Sequence, residues 1–179
     1  IEANDELVIV DQHAAHERVL YHEYTTKFQN KEGTALLFPI TVALPSAQAV
    51  ATLIAHQDFF ADQGITFSQT GPQHLTIHAS PPRLREGALD GLLIDTADFI
   101  AAHQALEPTF LRKKLNEHVH SHLACKMAVR AGDRLTVAAM TQLIQTLLET
   151  PERFMCIHGR PTMMPISKAE LEKKFKRRT

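Results

Sequence analysis

The sequence predicts a mixed fold of the α/β or α+β class, because strand-like and helical patterns alternate along its 179 residues. The apolar run at residues 7–10 is typical of a strand that is buried on both faces. Alternating apolar and polar residues on both sides of Gly71-Pro72 indicate two strands joined by a turn. Apolar residues at helical spacing over 108–125 indicate an amphipathic helix. Strands and helices are therefore expected to be intermixed along the chain.

The first half of the chain is punctuated by residues that bound strands and helices. Pro39 marks an edge position or a bend in a strand, because proline cannot donate a hydrogen bond to a neighbouring strand. Ser46 is suited to cap the start of a helix, and Gly64 to follow its end. In order, this half is predicted to contain a strand at 7–10, a helix at 13–28, a strand at 36–44, a helix at 47–62, and strands at 65–67 and 75–78.

The second half is divided in the same way. Pro81-Pro82 interrupts the chain, and Thr150-Pro151 closes a helix. Ser167 is suited to cap the last helix. In order, this half is predicted to contain helices at 86–103, 108–125 and 136–149, an irregular or strand-like segment at 154–165, and a helix that starts after Ser167.

Composition is that of an ordinary globular protein. Apolar residues make up 44% and charged residues 22%, and the net charge of −1 indicates no polyanionic partner. The sequence has neither an apolar run of about 18 residues nor a signal-peptide pattern, which predicts no membrane span and a cytoplasmic location. With only Cys125 and Cys156, a disulfide scaffold is not expected. Because Ile1 is not an initiator, we expect a fragment of a longer chain.

The segment from Asp11 to Arg18 contains the most informative pattern. Asp11 follows the apolar run, where a strand gives way to a helix. His13 and Glu17 are four residues apart, so a helix places both on one face. An imidazole and two carboxylates near one point form a ligand set for a divalent ion. Alternatively, Asp11 is the N-cap of the helix, and His13 and Glu17 are a solvated pair.

Two further segments contain residues that zinc prefers. Cys156 and His158 lie in a segment kinked by Gly159 and Pro161, and thiolate and imidazole are zinc ligands. A buried cysteine beside a surface histidine is the alternative. Cys125 lies on an apolar helix, where a cysteine is usually part of the core. The candidate ligands, sufficient for one zinc site and part of a second, are Asp11, His13, Glu17, Cys125, Cys156 and His158.

Two other patterns allow more than one interpretation. His118, His120 and His122 are spaced like a metal-binding tract, but on a helix only the first and last share a face, which favours a solvated surface. The basic run from Lys173 to Arg178 is interpreted as a solvated terminus. Alternatively, it contacts a DNA backbone, where Lys and Arg displace counterions from phosphates.

Four segments follow one another in a fixed order: Asp11-Gln12-His13-Ala14, Ala124-Cys125-Lys126, Cys156-Ile157-His158-Gly159-Arg160-Pro161 and Phe175-Lys176-Arg177. Together they resemble the motif set of the MutL family's C-terminal domain, which is D-Q-H-A-x-x-E-x-x-x-x-E, A-C-[R/K], C-x-H-G-R-P and F-x-R. The resemblance covers essentially the whole chain. It is to the endonuclease-proficient branch of the family, because members that rely on a separate nicking enzyme lack these motifs.

The resemblance implies a two-lobed domain. A dimerisation lobe with the metal and endonuclease site comprises residues 1–35 and 108–179, and an inserted external, regulatory lobe comprises 36–107. The implied role is DNA mismatch repair, with an ATP-binding N-terminal ATPase domain elsewhere in the full-length chain. The expected partners are a second copy of the chain, double-stranded DNA, a MutS-type mismatch sensor and the replication sliding clamp. The expected location is cytoplasmic and associated with the nucleoid.

The implied activity is metal-dependent nicking of DNA. Mn²⁺ or Mg²⁺ is the expected catalytic ion, and Zn²⁺ is the expected structural or regulatory ion. The catalytic ion would polarise the scissile phosphate and activate a water molecule. Carried over by motif, the metal ligands are Asp11, His13, Glu17, Cys125, Cys156 and His158, and the catalytic candidates are Asp11, His13, Glu17, Arg160 and Arg177.

Two departures from the family pattern bear on function. His22 stands where the first motif has its second Glu, and Glu23 follows one place later, about 100° around a helix. His22 thus bears on the rival hypothesis of a dimerisation and scaffold module that has a zinc site but no cleavage activity. In the segment that resembles the clamp-binding motif Q-x-[L/M]-[L/I]-x-P, Thr34 replaces Gln, while the apolar residues and Pro39 match.

Both hypotheses predict a homodimer with a large apolar interface, as in obligate dimers. The expected surfaces are the helix that carries Leu143, Leu147 and Leu148 and the strand from Leu7 to Val10. The same residues are equally suited to the internal core, and the sequence does not separate these two alternatives.

Overall fold

The computed structural model describes residues 2–3, 6–26, 33–82, 84, 87–130 and 132–177. These residues form seven helices and six short strands in two sheets, which confirms the predicted mixed fold. None of the described helices is long and apolar enough to cross a membrane. In chain order the elements are β1 (Glu2–Ala3), β2 (Glu6–Val10), α1 (Gln12–Thr26), β3 (Thr34–Ala43), α2 (Ala47–Ala55), α3 (Gln57–Asp62), β4 (Thr66–Gly71), β5 (His74–Ser80), α4 (Ala88–Ala102), α5 (Pro108–Met127), α6 (Val137–Glu149), β6 (Met163–Ser167) and α7 (Lys168–Lys174).

The chain divides into two compact units. The terminal unit comprises residues 1–22 and 128–179, and the central unit comprises 23–127. The lobes expected from the sequence have their boundaries at 35/36 and 107/108 instead. The second boundary differs because α5 contributes Leu115 and Leu123 to the core of the central unit.

In the terminal unit, β2 lies between β1 and β6 in an antiparallel sheet. One face of this sheet, with Val10 and Met163, packs against a small core that includes Leu147. On the opposite face Leu7 is 37% exposed and Ile9 is 47% exposed. The prediction of a strand buried on both faces is therefore wrong for the single chain, because the small core covers only one face.

The leucines of helix α6 differ in exposure, which distinguishes the two alternatives left open by the sequence, the internal core and the dimer interface. Thr136 caps the start of the helix by accepting the Ala139 N–H at 3.2 Å. Leu147 is fully buried and Leu143 packs against it, whereas Leu148 is 54% exposed. Leu147 thus belongs to the core, and Leu148 is accessible to a partner in the single chain.

The central unit contains the second antiparallel sheet, in the order β3-β5-β4. The β4–β5 hairpin turns after Gly71-Pro72, as the sequence predicts. Its edge strand β3 shifts register against β5 between Ala35 and Ile40. Within this bulge Leu37 is 87% exposed and Phe38 is 79% exposed. The bulge therefore presents apolar side chains in the segment that resembles a clamp-binding motif.

Helices α2 to α5 and this sheet share one apolar core. The helix predicted at 47–62 is two helices, because His56 ends the first. Its backbone N–H bonds the Leu53 carbonyl, and its Nδ1 donates to the Thr52 carbonyl at 2.9 Å. The largest fully buried side chains of this core are Leu53, Phe60, Ile65, Leu75, Ile77, Leu92, Leu93, Ile100, Leu115 and Leu123.

The remaining differences concern the ends of elements. Strand β1 is not predicted by the sequence. The prediction of an irregular or strand-like segment at 154–165 is confirmed, because a turn with one isolated bridge between Met155 and Pro161 leads into β6. Residues 27–28 and 86, at the ends of two predicted helices, lie outside the described residues, as does Arg178.

The histidines of α5 are packed rather than solvated, so this prediction is wrong. His120 is buried, with its Nε2 2.9 Å from Gln63 Oε1. His118 is half-buried and stacks on Phe99 of α4, with ring centroids 4.4 Å apart. His122 is also half-buried, and burial lowers the pKa of both His118 and His122. The face of α5 that carries His118 and His122, which was predicted to be solvated, packs against helix α4.

We expect His118→Phe to make the protein less sensitive to acid. Burial holds the pKa of His118 below its ordinary value of 6.5, Asp95 partly offsets this effect, and His103 adds to it. The unfolded chain therefore takes up a proton more readily than the folded chain. The stability due to neutral His118 is complete above about pH 6.5 and is lost as the pH falls through that value.

The measurement is the urea midpoint of unfolding at about pH 7.5 and about pH 5, on the two sides of the ordinary histidine pKa. The midpoint should fall less in His118→Phe than in the wild type. The exposed His74 provides the control, because His74→Gln should lose as much stability as the wild type. An equal loss in His118→Phe and the wild type would contradict the burial of this ring.

Candidate metal centre

Asp11 lies at the junction between β2 and α1, as predicted. Its backbone N–H bonds the Thr162 carbonyl at 2.9 Å, which holds the junction beside the start of β6. Its Oδ1 accepts the N–H groups of His13 and Ala14 at 2.9 and 3.0 Å, so Asp11 caps α1. The N-cap alternative is thus confirmed, and the role of Asp11 as a metal ligand stays a prediction.

Two histidines of α1 hold the backbone of Val129. His13 Nδ1 lies 2.8 Å from the Val129 carbonyl, and the Val129 N–H donates to His16 Nδ1 at 3.0 Å. Because a carbonyl can only accept, His13 Nδ1 is the donor, and the neutral form of the ring then has its lone pair on Nε2. This tautomer is the one that binds metal ions through Nε2. Sequence reasoning gave His16 no such role, since its backbone partner is distant in the chain.

Glu17 is a buried carboxylate that faces an imidazole. It is 1% exposed, and His158 Nε2 lies 3.1 Å from its Oε1. The contact lacks the alignment of a hydrogen bond, and Oε1 accepts none from the part of the chain that the structure describes. A buried carboxylate oxygen without a donor is costly. Either a protonated His158 or a bound cation would neutralise it.

His158 is positioned by residues 153–162, which we name the ligand turn. Within it the Cys156 N–H bonds the Arg160 carbonyl at 2.8 Å, and the Gly159 N–H bonds the Cys156 carbonyl at 3.0 Å. Gly159 has a φ of +76°, which other residues adopt only with strain. Cys156 is 2% exposed, and its Sγ accepts the His158 N–H at 3.3 Å. The turn thus brings two candidate metal ligands, the thiol of Cys156 and the imidazole of His158, into one short segment.

Arg18 anchors the ligand turn to α1. Its Nε donates to the Met155 carbonyl at 2.6 Å, and its Nη1 donates to Glu152 Oε2 at 3.1 Å. The Arg18 side chain is 10% exposed and that of Glu152 is 75% exposed, so the ion pair is largely solvated at its acidic end. Sequence reasoning missed Arg18, because a single sequence carries no signal that this arginine, unlike its charged neighbours, is buried.

Three further predicted site residues are Arg160, Arg177 and Cys125. The side chains of Arg160 and Arg177 are exposed. The Arg177 N–H bonds the Glu172 carbonyl at 2.9 Å just after α7. Cys125 is half-buried near the end of α5 in the central unit, and no disulfide joins it to Cys156.

Of the candidate ligands in the terminal unit, the structure brings Glu17 and His158 together. No third candidate ligand in the described part of this unit lies within 4.8 Å of both. The pair fits a divalent metal, because a carboxylate oxygen lacks a donor and because carboxylate and imidazole are both zinc ligands. The roles of Asp11, His13 and Cys156 as ligands stay predictions.

We expect Gly159→Ala to weaken metal binding without removing a ligand. An added Cβ meets the methyl group of Met155 at 3.9 Å, which is ordinary contact. The φ of +76° nevertheless costs an L-residue about 1–2 kcal/mol. We expect a bound ion to hold the turn in this conformation, so that the added strain opposes metal binding. The zinc Kd, measured by competition with a chromophoric chelator, should rise about 5- to 30-fold.

Gly132 provides the matched control, because it has a φ of +90° in the same unit but lies outside the ligand turn. Gly132→Ala should lower the stability to unfolding and leave the zinc Kd unchanged. An unchanged zinc Kd in Gly159→Ala would show that the conformation of this turn does not position a ligand.

Known proteins resemble this chain in sequence. Residues 1–135 match the family described as the MutL C terminal dimerisation domain. The DNA mismatch repair protein MutL of Rhizorhabdus wittichii is 37% identical over 99% of this chain, and that of Brucella anthropi is 36% identical over 99% of it. The chain spans 30% and 28% of the length of these relatives. It belongs to the MutL C-terminal dimerisation domain family.

Proposed function

We propose that this domain dimerises a DNA mismatch repair protein of the MutL type and carries a metal-dependent centre that nicks double-stranded DNA. The repair role is supported by the relatives, which are named as mismatch repair proteins. The nicking role rests on one observation, the buried pair of Glu17 and His158 with its unsatisfied carboxylate oxygen.

The exposed apolar side chains of the terminal unit support a second copy of the chain as one partner, because obligate interfaces are rich in apolar surface. Double-stranded DNA and a MutS-type mismatch sensor are proposed from the repair role. The sliding clamp is proposed to bind the β3 bulge, where Leu37 and Phe38 are exposed and Thr34 replaces the expected Gln. The residues proposed for the dimer surface are Leu7, Ile9, Leu148 and Met164.

Zinc is proposed as the structural or regulatory ion of the centre. Glu17 and His158 would supply two ligands, and a cation would then neutralise the buried oxygen of Glu17, which accepts no hydrogen bond from the described part of the chain. Cys156 is proposed as a further ligand because it lies on the same turn as His158. Cys125 is proposed as a ligand from the motif resemblance.

We expect Glu17→Gln to weaken zinc binding by at least about tenfold, because even the loss of an outer partner of a ligand costs about that much. Glu149→Gln removes a charge from an exposed position of α6 and should leave the zinc Kd unchanged. The measurement is isothermal titration of the metal-free full-length protein. Undiminished zinc binding by Glu17→Gln would mean that Glu17 and His158 form an ion pair and hold no metal.

Mn²⁺ or Mg²⁺ is proposed as the catalytic ion, held by Asp11, His13 and Glu17. When bound, such an ion polarises a phosphate and lowers the pKa of a coordinated water. His13 has its Nε2 lone pair for this purpose, and Asp11 uses only Oδ1 to cap α1. The exposed guanidinium groups of Arg160 and Arg177 are suited to bind phosphate oxygens by charge-assisted hydrogen bonds.

A scaffold module with zinc but without cleavage is the second candidate function. It is favoured by the role of Asp11 as a helix cap and by His22 at the position of the second motif Glu. Both candidates predict the same dimer and the same zinc, so only a cleavage assay separates them.

We expect the full-length protein to nick supercoiled plasmid in the presence of Mn²⁺, and we expect Asp11→Asn to slow nicking about a hundredfold or more. A catalytic metal supplies several kcal/mol of transition-state stabilisation, which corresponds to such a factor. Asn caps a helix as well as Asp does, so the substitution removes the charge and keeps the start of α1.

Asp58→Asn is the control for nicking, because Asp58 is an exposed aspartate in the first turn of α3. It should nick at the wild-type rate. The absence of nicking by the full-length wild type, with zinc bound and the dimer intact, would exclude the enzyme and leave the scaffold function.

A further inference from the structure

We propose that Phe154 is a base-stacking residue, against which DNA bound at the candidate metal centre places a base. The inference rests on the proposed function and specifies how its substrate is held. Phe154 lies on the ligand turn, two residues before Cys156 and four before His158. Its side chain is 58% exposed, whereas the backbone of the turn is held by hydrogen bonds.

The backbone that carries Phe154 is fixed on both sides. The Phe154 carbonyl accepts the Thr162 N–H at 3.1 Å, and the next carbonyl, that of Met155, accepts Arg18 Nε at 2.6 Å. The preceding carbonyl, that of Arg153, accepts the Thr162 hydroxyl. The ring thus keeps its apolar surface in water from a fixed position. Together with the exposed side chain of Met155 it forms an apolar patch of the kind that a partner covers.

The guanidinium of Arg153 gives the ring a second property that suits nucleic acid. It lies 5.0 Å from the centroid of the Phe154 ring, a cation–π contact that restrains the ring. A ring beside a cation is suited to stack on a base that has left the duplex stack and to attract the adjacent phosphate. Met155, the next residue, is 51% exposed and extends the apolar surface.

The charge of the surrounding segment favours DNA over an apolar protein surface or a second copy. Residues 152–177 contain seven Lys or Arg and three acidic residues, Glu152, Glu170 and Glu172, and Glu152 is paired with Arg18. A polyanion is attracted to such a segment, whereas two copies placed face to face here would bring like charges together. The occupant of this surface is therefore inferred to be DNA.

The first experiment measures binding of the full-length protein to a short fluorescent duplex at several salt concentrations, with EDTA present so that no cleavage occurs. Phe154→Ala should weaken binding about fivefold or more, the lower limit for loss of one stacked base. The slope of log K against log salt should be unchanged, because phenylalanine carries no charge. Arg153→Gln should instead reduce that slope by about one.

The second experiment places 2-aminopurine at successive positions of the duplex, since its fluorescence reports the stacking of one base. Wild-type protein should change the fluorescence at one position, and Phe154→Ala should not. Phe154→Trp keeps an aromatic ring and should restore both the fluorescence change and the affinity. Phe110→Ala is the matched control, because Phe110 is 47% exposed in the central unit and also has a cation, Lys114, beside its ring; it should behave as the wild type.

The inference is overturned if Phe154→Ala binds duplex as tightly as the wild type with the same fluorescence change. It is overturned equally if the variant weakens dimerisation in sedimentation and leaves DNA binding intact, because the occupant is then a second copy. Failure of the proposed function gives a different result: the wild type does not nick with Mn²⁺, while the Phe154-dependent fluorescence change persists in EDTA.

Discussion

The buried guanidinium of Arg18 holds the ligand turn against α1, and the candidate centre depends on this contact. Arg18 donates to the Met155 carbonyl and to Glu152. Because Glu17 directly precedes it, the helix that supplies the carboxylate also supplies the anchor for the turn that brings His158 to that carboxylate. Burying a guanidinium is costly unless its donors are satisfied. Met155 on the turn and Glu152 just before it accept hydrogen bonds from Arg18, so the burial of this guanidinium and the position of His158 depend on each other.

Asp11 is subject to two demands at the start of the same helix. The four N–H groups that begin a helix lack partners within it, and Asp11 Oδ1 accepts two of them. A carboxylate has a second oxygen with its own lone pairs, so a cap and a metal ligand are compatible on one side chain. The negative charge is also favoured there by the helix dipole, in the absence of any metal. Asp11 therefore stabilises the start of α1 whether or not a metal is bound. For this reason, an Asp at this junction does not by itself distinguish an enzyme from a scaffold module.

The sequence predicts those parts of the fold that depend on local chemistry. Turn residues locate the hairpin at Gly71-Pro72, and a capping side chain locates the start of α2 at Ser46. The sequence does not show that one face of β2 is exposed. An apolar run does not reveal whether a second layer of helices or strands covers that face of the strand. At the site, the position of Asp11 follows from the end of the apolar run, and that of Glu17 follows from helical spacing. The contact between Glu17 and His158 does not follow from the sequence. It depends on the hydrogen bond between Arg18 and the Met155 carbonyl, two residues that are 137 positions apart in the chain.

The histidines show the same limit, since spacing alone does not distinguish a ligand from a packed ring. His118 and His122 have the spacing of a metal tract, yet His118 stacks on Phe99 and burial lowers its pKa. His13 has a less conspicuous sequence context, but its Nδ1 donates to a backbone carbonyl and leaves Nε2 as an acceptor. The partner of the second ring nitrogen thus determines whether an imidazole is prepared to bind a metal ion. That partner, Val129, is 116 residues from His13, so the preparation of the ring becomes visible only when the chain is folded.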